Sequence, residues 1–191
     1  MVVRVGFIVE GKTEAMVVNS DAFKQWLERQ GLELCRSALD AKGGGNLLPH
    51  NIGDLVNTLA AHQPDHIVIL TDLEDAPDVA AVRDRITTEY TNLIFIAVKA
   101  IEAWFLADTA ALNSWLKKQG VIEPLPEQTP AMPWERLKAI AVEQNTRGPG
   151  SKASFAKQYI VHHKFDVSRA ADHPACPSAR AFCDGLLALA E

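Results

Sequence analysis

The apolar residues of this chain follow two different spacings along its length. Val2 to Val9 is an almost unbroken run of β-branched and apolar residues, which predicts a buried strand. Val17, Phe23, Trp26 and Leu27 then recur at near-helical spacing, predicting a helix that opens near Thr13, runs to about Gln30 and stops at Gly31. Leu32 to Leu39 predicts a second strand. KGGGN (42–46) predicts a turn, and a further helix follows near Leu47 to His62. HIVILT (66–71) is a short buried strand ending at Asp72, 78–90 a polar helix, and LIFIAV (93–98) another strand. After Ala100 the strand pattern disappears. Helices are expected over Ile101–Leu106, Thr109–Gln119, Trp134–Gln144, Ser151–His163 and Pro177–Ala190, with EPLPEQTPAMP (123–133) as a proline-rich loop or lid.

Alternation of strand and helix over the first hundred residues implies an α/β fold, with a mostly parallel central sheet of about four strands flanked by helices. Residues 1–110 are expected to form this core, and 111–191 a helical C-terminal part packed on it within one compact domain. Sites in such sheets lie at the carboxyl ends of the strands. That rule singles out Glu10, Asp72 with its neighbours, and the residues following Val98.

The run GFIVEGKTE (6–14) can be read in two ways. Letter for letter it matches G-x-x-x-x-G-K-T, the phosphate-binding P-loop, with HIVILTD as a possible metal-binding strand behind it. But a P-loop wraps phosphates with the residues between its glycines, and here these are Phe7, Ile8, Val9 and Glu10. Three are bulky and apolar, so they read better as strand, and Glu10 would set a negative charge against the phosphates. In the second reading Glu10 is one of three acidic clusters at the same sheet edge. The others are Asp72, Glu74 and Asp75, and then Glu102. Gathered carboxylates repel and resist desolvation, and Mg²⁺ or Mn²⁺ relieves both. Asp72 and Glu74 form the natural ligand pair if the chain stays extended, with Asp75 in reserve. The competing explanation is that such acids cap helices and strand ends.

Composition narrows the classes. A hydrophobic fraction of 48% and a charged fraction of 23% suit a globular chain with a full core. No apolar run approaches the roughly 18 residues that cross a bilayer. The N-terminal MVVRVGFIVEGK lacks a signal peptide's charged start and cleavage site, so the expectation is a cytoplasmic protein without membrane partners. A net charge of −5 argues against non-specific DNA coating, but Arg147, Lys152, Lys157 and Lys164 form a local basic stretch without an intervening acid. It is either a solvated face or a binding stripe. Cys35, Cys176 and Cys183 are read as thiols, the last two as a buried pair. A zinc site built from them with His162, His163 and His173 would match no familiar spacing.

Three segments taken in order, IVEGKTE, VILTDLED and VKAIEAWFLAD, resemble the TOPRIM-like group and in particular its DUF4276 proteins. The resemblance covers residues 1 to about 110 and is thinner over the helical tail. It implies a compact α/β domain of the kind found in topoisomerases, bacterial primases and nucleases, in which a Glu after the first strand and an Asp-x-Asp pair after a later one bind Mg²⁺ for phosphodiester chemistry. Carried onto this sequence, the Glu is Glu10 and the pair is Asp72 and Glu74, the second acid departing from the family's Asp. The third segment brings in Glu102, Trp104 and Asp108.

The resulting expectation is Mg²⁺- or Mn²⁺-dependent phosphodiester cleavage of nucleic acid, a TOPRIM-like nuclease in phage defence or genome maintenance, beside an ATPase partner. Asp72, Glu74 and Asp75 would hold the metal. Glu10 would be a ligand or general acid–base, and Lys12 a point charge on phosphate. On the substrate side stand Gly43, Gly44 and Gly45, whose alternative is a flexible turn, and Trp104, whose alternative is core. Glu102, Asp108, Lys152 and Lys157 complete that set. Two alternatives stay open: a non-catalytic metal- or nucleotide-binding module acting through a protein partner, and a P-loop nucleotide-binding protein using Gly6 to Thr13.

Overall fold

The computed structural model describes residues 2–191. Five strands form one sheet, and every pairing is parallel. They are β1 (Val3–Val9), β2 (Leu32–Leu34), β3 (Leu39–Asp40), β4 (His66–Asp72) and β5 (Ile94–Ala97). The order is β2-β1-β4-β5, with β3 also pairing with β1. β2 meets the start of β1 (Val3 opposite Leu32) and β3 meets its end (Val9 opposite Asp40). The strand expected over 32–39 is therefore two short pieces, interrupted at residues 35–38. There Asn19 Oδ1 accepts the Ala38 amide at 2.8 Å.

The strands are apolar on both sides because both faces are covered. Val5, Phe7, Val9, Val68 and Leu70 point into one core, and Ile8, Ile69, Ile94 and Ile96 into another. The second core is closed by α3 (Gly53–Ala60) and α4 (Val79–Ile86), which supply Val56, Leu59, Val82 and Ile86. Gly6 lets α3 approach closely, since a Cβ there would lie 3.1 Å from Leu59 Cδ1 and 3.3 Å from Cys35 Sγ. The helix expected over 47–62 is thus replaced by a 3₁₀ turn at Gly44–Leu47 and the shorter α3.

The first core is larger and takes in the remaining helices. The helix expected over 13–30 is divided into α1 (Lys12–Val18) and α2 (Asp21–Arg29). Ser20 makes the division, accepting the Phe23 amide at 3.2 Å as an N-cap while its hydroxyl donates to Val17 O at 2.7 Å. Beyond β5 come α5 (Glu102–Ala107), α6 (Thr109–Leu116), α7 (Pro133–Glu143), α8 (Lys152–His162), α9 (Val167–Asp172) and α10 (Pro177–Leu187). Helix α9 falls in a stretch for which the pattern predicts no element. Phe182 on α10 joins these helices to the sheet: its ring lies 5.8 Å from Phe23, 6.2 Å from Phe7, 5.3 Å from Phe95 and 5.3 Å from Trp104. Cys176 and Cys183 are buried in this cluster, and burial pushes both thiols up, Cys183 to about 12. His163 and His173 instead bond Ser114 and the Glu123 carbonyl, so the cysteines and histidines form no zinc cluster among the described residues. Among the described residues, no helix is long and apolar enough to cross a membrane.

Candidate functional site

The chain passes from β1 to β2 and β3 on one side, then crosses to β4 and β5 on the other. The strand order therefore reverses between β1 and β4, and a crevice opens at their carboxyl ends, where α/β sheets bind ligands. Glu10 and Asp72 stand at this point. β1 runs as strand through Val9, with Phe7, Ile8 and Val9 opposite Val68, Ile69 and Leu70. No loop is left between Gly6 and Gly11 to wrap a phosphate, which corrects the P-loop reading of Gly6 to Thr13.

The Glu10 carboxylate lies across the end of β4. Its Oε2 accepts the Asp72 amide at 3.0 Å and a short hydrogen bond from the Thr71 hydroxyl. Asp72 Oδ1 in turn accepts the Ile101 amide at 2.9 Å. That bond ties the end of β4 to the turn after β5, one residue ahead of Glu102. Glu102 is buried and meets Lys152 Nζ of α8 at 3.2 Å. Lys152 also sits 5.9 Å from the centre of the Trp134 ring. A cleft of about 270 Å³ is lined by Glu10, Glu14, Asp72, Glu74 and Glu102 among the acids, and by Lys12, Lys42 and Lys152 among the bases.

Glu14 has no place among the residues singled out from the sequence. It is 4% exposed and stands at the third position of α1, where an acid ordinarily reads as a helix-start residue. Burial first, then the charges of Glu10 and Glu102, raise its carboxyl from 4.5 to about 7, although the Glu14 and Gly11 amides pull the other way. Asp72 is raised well above its ordinary value by burial and by Glu14, Glu102 and Glu10. Lys42 and Thr71 are further contributors that the strand-end rule does not single out.

Other expected residues separate from this group. Beyond Asp72 the backbone does not stay extended, because Glu74 adopts φ +48° with its amide bonded to Lys99 O at 2.7 Å. Glu74 is exposed and still lines the cleft; Asp75 is exposed and does not. The pairing of Asp72 with Glu74 on one strand face is corrected accordingly. Gly43 lines the cleft at φ +123°, its amide bonded to Glu10 O at 2.8 Å. A Cβ at Gly44 would meet Glu10 Oε1 at 3.2 Å, whereas Gly45 faces open space. Trp104 is fully buried and donates its Nε1–H to Ser178 Oγ at 2.8 Å, so it is core and offers no stacking face. Asp108 is a structural residue: fully buried, it caps α6 through Ala111, accepts the Asp166 amide, and pairs with both Nε and Nη2 of Arg169. Lys157 faces a separate cleft beside Met16, Asn19 and Lys164.

The donor set fits a hard divalent cation. Every acid here offers carboxylate oxygen, and their mutual repulsion with burial is what a cation relieves. No three acids converge tightly enough to form a ready-made ligand group among the described residues. Asp72, aided by Glu10 and Glu74, would hold the cation. Compared with known protein families, with curated proteins and with solved structures, the chain matches none.

Proposed function

We propose that the protein is a TOPRIM-like enzyme of divalent-metal-dependent phosphodiester chemistry on nucleic acid. One observation carries this reading. Glu10 and Asp72 meet at the switch point of a parallel sheet, with Glu14 and Glu102 buried around them and Lys12, Lys42 and Lys152 at the rim. When bound, Mg²⁺ or Mn²⁺ would stabilise charge on the phosphate undergoing cleavage. Asp72 has one oxygen committed to the Ile101 amide, which fixes the direction of the other. Glu10 is oriented by Thr71 and Asp72 and would move a proton at the reacting oxygen. Lys12 is exposed, forms no ion pair among the described residues, and would draw a phosphate toward the acids as a point charge.

A second reading has an observation of its own. Glu10 is tied into the sheet edge by two hydrogen bonds, which also suits a module that binds metal or nucleotide without cleaving and acts through a partner protein. The two separate in a nuclease assay with Mg²⁺ or Mn²⁺ on single- and double-stranded substrates. Cleavage lost in Asp72→Asn and Glu10→Gln, retained in Lys12→Ala at reduced rate and without need of ATP, supports the enzyme. Metal-dependent thermal stabilisation with no cleavage of any substrate supports the module.

A further inference from the structure

A second groove, of about 530 Å³, opens on the helical side where α6, the 144–151 loop and α8 meet. Its charged lining is of one sign: Lys117 and Arg147 contribute, and no acid does. Lys117 and Arg147 are exposed and make no ion pair among the described residues, although the chain as a whole is acidic. Unpaired cations concentrated in one concavity of an acidic protein focus field there and favour an anion.

The groove also has an aromatic wall. Trp115 packs edge-on against Phe155 at 5.0 Å and Tyr159 at 6.3 Å, which fixes the indole in place, and it remains partly exposed toward the groove. Unlike Trp104, it therefore has a surface to offer. Gly148 and Gly150 also line the groove, and without side chains they let a bulky ligand lie close to the backbone. Consecutive residues at the start of α8 line the groove and the carboxylate cleft. Ser151, the N-cap of α8, lines the groove, and the next residue, Lys152, lines the cleft and holds Glu102.

We propose that this groove binds a single-stranded nucleic acid, its phosphates on Lys117 and Arg147 and one base against Trp115, and so leads the strand past the α8 N-terminus to the carboxylate cleft. The inference rests on the nucleic-acid reading of that cleft and adds the substrate class. Single strands suit the site because an aromatic wall can hold only a base freed from its stack, and cations beside an aromatic ring recur in proteins that track such strands. His163 also lines the groove, and burial, then His162 and Lys117, lower its pKa.

The test is fluorescence anisotropy of a labelled twelve-nucleotide single strand with the full chain in EDTA, where no cleavage occurs. The expected result is binding that weakens at least tenfold in Lys117→Ala/Arg147→Ala. The slope of log affinity against log salt should fall by about 1.4, as two phosphate contacts are lost. Trp115→Leu should weaken binding while Trp115→Phe retains most of it. Affinity unchanged in the double variant, or equal competition by a blunt duplex or by inorganic phosphate, would overturn the proposal. Arg83→Ala, an exposed cation on α4 that lines neither the groove nor the cleft, serves as the control and should bind undiminished. Groove-dependent binding without cleavage under any metal leaves the groove standing and sinks the enzymatic reading. Cleavage indifferent to the groove variants does the reverse.

Discussion

A carboxylate's meaning here depends on what surrounds it. Asp108 and Glu14 are both buried, but Asp108 has Arg169 as a bidentate partner and accepts two backbone amides, whereas Glu14 has acids for neighbours. The consequence is a testable pH dependence. Unfolded, Glu14 releases its proton near 4.5; folded, it holds it to about 7. Between those values the native state binds more protons, so the stability of the metal-free protein falls as pH rises from about 4.5 to 7 and levels off above. A shift of this size corresponds to roughly 3 kcal/mol, or about 6–12 °C in Tm for a chain of this length. Glu14→Gln removes that slope. Thermal melts of both proteins in EDTA at pH 5 and pH 8 should show the wild-type disadvantage at pH 8 only. Equal pH slopes in the two proteins would sink the assignment. Excess Mg²⁺ should stabilise the wild type more at pH 8 than at pH 5, because its ligands must be deprotonated to bind.

Among the elements, close approach decides more than propensity. Helix α10 crosses β5 so tightly that a Cβ on Gly185 would lie 2.4 Å from Phe95 Cζ. Phe95 cannot readily yield, since its ring sits edge-on against Phe182 at 5.3 Å. By helix propensity alone Gly185→Ala would stabilise by about 1 kcal/mol. The packing predicts the opposite sign, a loss of about 1–3 kcal/mol from overpacking. Urea titration measures this directly, and a raised midpoint would show that α10 shifts freely. Loop 123–133 is held in a comparable way. Lys99 Nζ reaches back to the carbonyls of Thr129 and Ala131, and Glu127 accepts from Ser178 at the start of α10. The proline-rich segment is therefore pinned at both the sheet edge and α10.

For the whole molecule, the two halves defined by pattern share one core. The apolar cluster on the larger face runs from Val5 to Leu186, and Phe182 touches residues of β1, α2, β5 and α5. Residues 1–110 alone would expose the faces of Phe7, Phe23, Phe95 and Trp104 that α10 covers. The fragment is accordingly expected to lack a cooperative urea transition and near-ultraviolet circular dichroism of native kind. A cooperative transition in the fragment would show that the helical part is dispensable.

Much of the strand layout could be read directly, because continuous β-branched runs are a local property: β1, β4 and β5 lie within a residue or two of their expected bounds. The ends of those strands also located Glu10 and Asp72. The division of helix 13–30 at Ser20, the splitting of strand 32–39 and the existence of α9 depend on side-chain bonds and packing that no periodicity records. The same holds for the site. Trp104 and Trp115 look alike in sequence, each in an apolar helical run, and only the fold buries one under α10 and turns the other toward a basic groove. Glu14 reads locally as an ordinary helix-start acid. It becomes part of a buried acidic cluster because β1, β4 and the turn after β5 end at the same edge, bringing Glu10, Asp72 and Glu102 around it. By itself, the sequence determined that apolar runs alternate with helices and that acids follow the strands. The tertiary structure decided which of those acids are near enough to repel one another, since repulsion depends on distance through space and not along the chain.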